Sequence, residues 1–110
     1  MIEERYPSLW RLISSCFHQD WDLEASTWEP LVQRFIATAG AETVTGAARE
    51  LGQVLQSVAD NDELHELVYD ELGCAYDPRP NGLEVRDWLE QIRLRLHAAS
   101  MGGKGSEPAG

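Results

Sequence analysis

The sequence lacks several features that would assign it to a common class. It contains no run of about 18 apolar residues, the length needed to cross a membrane, and its first residues, "MIEERYPSLW", contain no long apolar stretch. Its two cysteines, Cys16 and Cys74, lie far apart without CxxC spacing, so no disulfide framework is expected. These absences predict a cytoplasmic protein with reduced thiols and no membrane partner.

Basic residues are scarce. The chain of 110 residues has 9 Lys and Arg against 19 Asp and Glu, a formal charge of −10. No Lys or Arg lies between Arg49 and Arg79, and eight acids do. Such a chain repels nucleic acids and anionic membranes and attracts basic partners.

The alternation of apolar and polar residues that is typical of strands is almost absent, whereas helical periodicity is strong. Five helices are predicted, over about residues 8–18, 27–38, 43–58, 61–72 and 83–98. Asn61 is a suitable N-cap for the fourth, and Gly73 a suitable left-handed terminator. Gly52 is expected to allow close helix packing. With 43% hydrophobic residues, we expect an all-α single compact domain over residues 1–99 and a flexible Gly-rich tail over 100–110.

The fourth predicted helix carries four acids on one face, Asp62, Glu63, Glu66 and Asp70. Like charges four residues apart destabilise a helix, and no base in the helix offsets them. The face is either an ordinary solvated surface or a binding site for a cationic partner. Glu71 falls on the apolar side in this phase, which predicts an ion pair with Arg86 or Arg93 in the last helix.

The string "FHQDWDLE" (residues 17–24) places His18, Asp20, Asp22 and Glu24 around Trp21. A calcium loop counted from Asp20 would need Gly at its sixth position and Glu at its twelfth, where the sequence has Ala25 and Leu31. A zinc site lacks a second nearby His or Cys at ligand spacing. We therefore expect no metal and a structural corner, with Trp21 largely buried and Asp20 or Asp22 bonded to exposed backbone N–H groups.

No sequence motif of hydrolases, metalloproteases or nucleotide-binding enzymes is present. The histidines and cysteines are residue types that can act in catalysis. A hydrolase that uses His18 with Asp20 or Asp22 is therefore the remote alternative. We expect no enzymatic activity and no cofactor.

Four strings in this order, "YPSLW", "FHQDWDLE", "ELGCAYDP" and "WLEQIRLRL", resemble the immunity proteins of bacterial contact-dependent growth inhibition systems. The resemblance covers about residues 6–96. It implies a small helical cytoplasmic protein that binds and neutralises the C-terminal toxin domain delivered by a neighbouring cell, often a nuclease. The family signature maps onto Phe17, His18, Gln19, Asp20, Trp21, Asp22, Gly73, Cys74, Tyr76 and Pro78.

Surfaces that block different toxins should differ between relatives, so the shared strings are expected to form the scaffold as two loops that pack on each other. Toxin contact is then expected on the acidic face, Asp62, Glu63, Glu66 and Asp70, from a protein that is monomeric when free. The alternative is a helical adaptor that binds some other basic partner.

Overall fold

The computed structural model describes residues 2–21 and 27–105 of the chain. Its α-helices are α1 (Ile2–Arg5), α2 (Pro7–Cys16), α3 (Glu29–Thr38), α4 (Ala41–Ser57), α5 (Asn61–His65) and α6 (Val85–Gly105). A π-helix, Glu66–Glu71, continues α5, and a short 3₁₀ turn, Arg79–Asn81, precedes α6. These ranges contain no strand, so the expected all-α fold is confirmed.

The five predicted helices are all present, with differences at their ends. The short helix α1 precedes them, and α6 runs to Gly105, into the range assigned to the tail; residues 106–110 lie outside the described part. The prediction that Asn61 is an N-cap is wrong, because Asp60 holds that position. Asn61 instead accepts a hydrogen bond from Arg86 Nε at 3.2 Å. Within the described residues, no helix is both long and apolar enough to cross a membrane.

Helix α4 packs most extensively against α6 and also contacts α2 and α3. Its apolar stripe includes Val44, Leu51 and Val54, all buried. The apolar residues of the other helices complete one core, namely Leu9, Leu12, Ile13, Cys16, Phe17, Trp28, Leu31, Val32, Phe35, Leu64, Leu67, Val68, Val85, Trp88, Leu89, Ile92 and Leu96. Burial of these helical stripes is the main force that stabilises the fold.

The close approach of α2 to α4 depends on Gly46. A Cβ atom at Gly46 would lie 2.5 Å from Ser8 Oγ and 3.1 Å from Ser8 Cβ, which is closer than side chains tolerate. Close packing was predicted at Gly52. A Cβ atom there would meet only Arg93 Cδ, at an ordinary contact distance of 3.7 Å. The assignment to Gly52 is therefore wrong, and Gly46 is the residue that admits a neighbouring helix.

A buried carboxylate joins the same two helices. Glu50 of α4 is only 4% exposed, and its Oε1 accepts a hydrogen bond of 2.8 Å from the backbone N–H of Leu9. Leu9 lies in the first turn of α2, where N–H groups have no partner within the helix and the helix dipole favours negative charge. Glu50 thus caps α2 from a different helix, and Arg49 Nη2 lies 4.0 Å from its other oxygen.

Replacement by alanine should have opposite effects on the stability of the protein at the two glycines of α4. Gly52→Ala should stabilise the protein by up to about 1 kcal/mol, since alanine is the better helix former. Gly46→Ala should lose that gain to overpacking, which costs about 1–3 kcal/mol. Urea unfolding of both variants measures the difference. Equal effects would show that α2 moves away from α4 without cost.

Removal of the Glu50 carboxylate should destabilise the protein, because the Leu9 N–H would remain buried without an acceptor. We expect Glu50→Ala to lower the free energy of unfolding by about 1–3 kcal/mol. Glu50→Gln is the matched control, since its amide oxygen can still accept the bond, and it should lose about half as much or less. Equal losses in chemical denaturation would mean that the charge, rather than the hydrogen bond, matters.

Candidate functional site

The two segments that carry the signature lie against each other. Residues 17–21 form a corner after α2, and residues 73–78 form a loop after the π-helix, here called the return loop. The backbone N–H of Ala75 donates a 2.8 Å hydrogen bond to the carbonyl oxygen of Phe17. The expected contact between the two loops is therefore present in the structure.

Aromatic side chains fill the space beneath this contact. The Phe17 ring lies 5.0 Å from Trp88 and 5.8 Å from Tyr76, measured between ring centroids, and Tyr76 lies 5.2 Å from Trp88. Trp21 meets Tyr76 edge-on at 4.9 Å, a favourable arrangement for aromatic pairs. Trp21 is partly buried and packs against the core, as predicted for this corner, although it keeps more exposure than Phe17. It covers the cluster from outside, whereas Phe17 and Trp88 fill it.

The signature residues divide by burial. Phe17, Cys74, Tyr76 and Pro78 are buried, His18 and Trp21 are partly buried, and Asp20 and Gly73 are exposed. Asp22 and Glu24 lie outside the described residues. Gly73 has a φ of 74°, the left-handed conformation expected at the end of a helix.

His18 and Asp20 contact each other through backbone. His18 Nδ1 accepts a hydrogen bond from the Asp20 N–H at 3.1 Å, so the imidazole supports the turn. Such a bond fixes the orientation of the imidazole ring within the corner. No group of three or more His, Cys, Asp or Glu within residues 2–21 and 27–105 could hold a metal ion.

Both thiols are buried and hydrogen-bonded to backbone carbonyls. Cys16 Sγ lies 3.3 Å from the Leu31 oxygen, and Cys74 Sγ lies 3.3 Å from the Tyr76 oxygen. Burial raises the pKa of the Cys74 thiol to about 12. Because the thiolate is the reactive form, Cys74 is inert at neutral pH.

The acids of the fourth predicted helix are exposed. Here the acidic surface denotes five exposed side chains on the continuous segment formed by α5 and the π-helix, Asp62, Glu63, Glu66, Asp70 and Glu71. Four were predicted as a face, whereas Glu71 was expected to point inward. The backbone N–H of Leu72 bonds to the Leu67 oxygen, five residues back. This wider turn breaks the phase of about 3.6 residues on which the prediction rested.

The predicted ion pair of Glu71 with Arg86 or Arg93 is wrong. Arg86 donates to the carbonyl oxygens of Leu55 at 3.1 Å and Val58 at 2.6 Å, which closes the C-terminal end of α4. Arg93 pairs with Glu90, one turn away on α6. Because the π-helix turns Glu71 to solvent, no buried charge there needs an arginine.

A polar unit that no local sequence pattern predicted lies beside the acidic surface. Asp77 of the return loop accepts two side-chain hydrogen bonds from Arg79, each 2.8 Å, and one from the Arg79 N–H at 3.0 Å. The Tyr69 hydroxyl donates to Asp77 Oδ1 at 3.4 Å, and the Arg79 guanidinium lies 5.7 Å from the Tyr69 ring centroid. Hydrogen bonds from Arg79 hold the pKa of Asp77 below its usual value. The DPR string was a possible signal, but the distance to Tyr69 depends on the fold.

Comparison with known proteins identifies a matching family and similar solved structures. The family model of the CdiI immunity protein matches residues 5–96. A chain in the crystal structure of the CdiA-CT/CdiI complex from Y. kristensenii 33638 superposes with a TM-score of 0.79 at 27% sequence identity. The match covers 88% of this chain and 99% of that one. Among curated proteins no match was found.

Truncation of a side chain at the centre of the aromatic cluster should destabilise the protein more than truncation at its partly exposed edge. Phe17→Ala should cost about 3–5 kcal/mol, as truncation of large core residues does. Trp21→Ala should cost about 1–3 kcal/mol, because the side chain is partly exposed. Urea unfolding of the two variants checks the order. A larger loss for Trp21→Ala would mean that the corner, and not the Phe17 ring, holds the two loops together.

Proposed function

Because the chain belongs to the CdiI immunity protein family, we propose that it binds and neutralises the toxin domain of a cognate contact-dependent growth inhibition system in the cytoplasm. Family membership over residues 5–96 carries the proposal. The superposition with a chain of a CdiA-CT/CdiI complex supports it. The partner is the C-terminal toxin domain, and the protein acts on it by stoichiometric binding.

The proposed binding site is the acidic surface. Five carboxylates there are exposed, and the sequence has no Lys or Arg between Arg49 and Arg79 to neutralise them. The nearest cation along the chain, Arg79, is already paired with Asp77. These carboxylates, together with the net charge of −10 of the whole chain, favour a basic partner.

A basic toxin domain that acts on nucleic acid fits this charge. A nuclease presents cations to the phosphates of its substrate, and an acidic inhibitor competes for the same cations. Complementary charge chiefly raises the association rate and selectivity. A tight inhibitor of this kind buries about 1,600 Å² in total. The signature residues, in this proposal, form the scaffold behind the interface.

Inhibition by binding needs no turnover by the immunity protein. The hydrogen bond that His18 Nδ1 accepts from the Asp20 backbone N–H supports a structural role for this residue. The raised pKa of Cys74 also argues against a thiol nucleophile. We propose that the free protein is a monomer, so that the acidic surface is open to the toxin.

Charge reversal on the acidic surface tests the proposal. The double variant Glu66→Lys with Asp70→Lys should melt near wild type, because surface changes shift stability by about 0.5 kcal/mol or less and the repulsion between Asp62 and Glu66 becomes an attraction. It should bind its purified cognate CdiA toxin domain more slowly. The defect should be largest at low salt, where screening is weakest. Stopped-flow association across a salt series measures it.

A matched control separates local contact from overall charge. Glu42→Lys in α4 makes the same change as Glu66→Lys at another exposed glutamate. We expect Glu66→Lys to slow association more than Glu42→Lys. If the two variants associate equally fast, the acidic surface only contributes to net charge and the binding site lies elsewhere.

A further inference from the structure

Tyr69 is the aromatic residue of the acidic segment. It lies in the π-helix Glu66–Glu71, beside the exposed Asp70 and three positions after Glu66. Its side chain is partly buried and packs against the core. The His65 ring meets it edge-on at 6.2 Å. A partly buried aromatic ring therefore lies next to the exposed carboxylates of the acidic surface.

Asp77 of the return loop and Arg79, which follows the loop, hold the Tyr69 ring in place. Asp77 accepts the Tyr69 hydroxyl hydrogen bond at 3.4 Å, and Arg79 lies over the ring at 5.7 Å. The two-pronged bond between Arg79 and Asp77, 2.8 Å for each prong, fixes both groups relative to each other. The loop itself is fixed by the N–H of Cys74, which bonds to the Val68 oxygen at 3.0 Å. Tyr69 thus has a defined orientation before any partner arrives.

We infer that Tyr69, braced by Asp77 and Arg79, is the anchor through which a bound basic toxin domain is retained on the acidic surface. This inference rests on the proposed function. Tyrosine and arginine are enriched among the few residues that dominate binding energy. A pre-oriented anchor loses little conformational entropy on binding. The carboxylates then govern how fast the complex forms, and Tyr69 governs how long it lasts.

Arg79 distinguishes this inference from a purely electrostatic one. It is a cation beside a surface that receives a cationic partner, so if charge alone mattered, its removal should strengthen binding. If Arg79 braces Tyr69 and Asp77, its removal should weaken binding instead. The two views predict opposite changes in the dissociation rate. Arg79 is a positioning residue in this arrangement, and its side chain is 46% exposed, so its replacement should leave the fold intact.

The experiment measures association and dissociation rates of the full chain with the same purified toxin domain by surface plasmon resonance. Tyr69→Ala should raise the dissociation rate by about thirtyfold or more, which is the effect of losing a hot-spot residue. Tyr69→Phe keeps the ring, and its increase should be much smaller. Arg79→Ala should raise the dissociation rate and leave the association rate unchanged or faster. Arg79→Lys keeps the charge but not the planar two-pronged bond, so it should only partly restore slow dissociation.

Each outcome bears on the inference. If wild type does not bind the toxin, both the proposed function and the anchor are wrong. If wild type binds and the Glu66→Lys, Asp70→Lys variant associates slowly, but Tyr69→Ala and Arg79→Ala dissociate like wild type, only the anchor is wrong. Should Tyr69→Ala fail to melt cooperatively, Arg79→Ala decides alone. Slower dissociation of Arg79→Ala would overturn the inference in favour of a purely electrostatic contact.

Discussion

The carbonyl and side chain of Phe17 fix the relative positions of the parts of this molecule. Its backbone N–H closes the last turn of α2 on the Ile13 oxygen, and its carbonyl oxygen accepts the N–H of Ala75. Its ring lies fully buried against Trp88 of α6. One residue therefore ends a helix, holds the return loop and fills the core between them. Any change in its position would move all three elements.

The return loop transmits that constraint to the surface. Cys74 in this loop bonds to Val68 of the π-helix, and Asp77 in the same loop bonds to Tyr69. The return loop thus supports the segment that carries the carboxylates through one backbone and one side-chain hydrogen bond. This arrangement is compatible with the proposed division of roles, in which the loops build the support and the carboxylates select the partner.

Local periodicity predicted the five main helices and most of the core, because each helix buries a stripe that its own sequence defines. It also predicted the left-handed Gly73 and the exposure of Asp62, Glu63, Glu66 and Asp70. It did not predict the burial of Glu50, the close approach at Gly46 or the brace around Tyr69. Each of these depends on a partner distant in sequence, which no local pattern encodes. Glu71 was misplaced for a different reason, since the phase assumed for an α-helix does not hold in a π-helix.

The π-helix has a consequence for how such a protein can change over generations. A turn that closes on the fifth preceding residue contains one more residue than an α-helical turn. Leu67 and Val68 of this turn are buried, while Glu66, Asp70 and Glu71 of the same turn are exposed. Loss of one residue here would restore the α-helical phase and rotate both sets of side chains together. The outward pattern of charges and the inward pattern of apolar side chains are therefore coupled in this one turn, and an insertion or deletion that altered the charged surface would also have to repack the core.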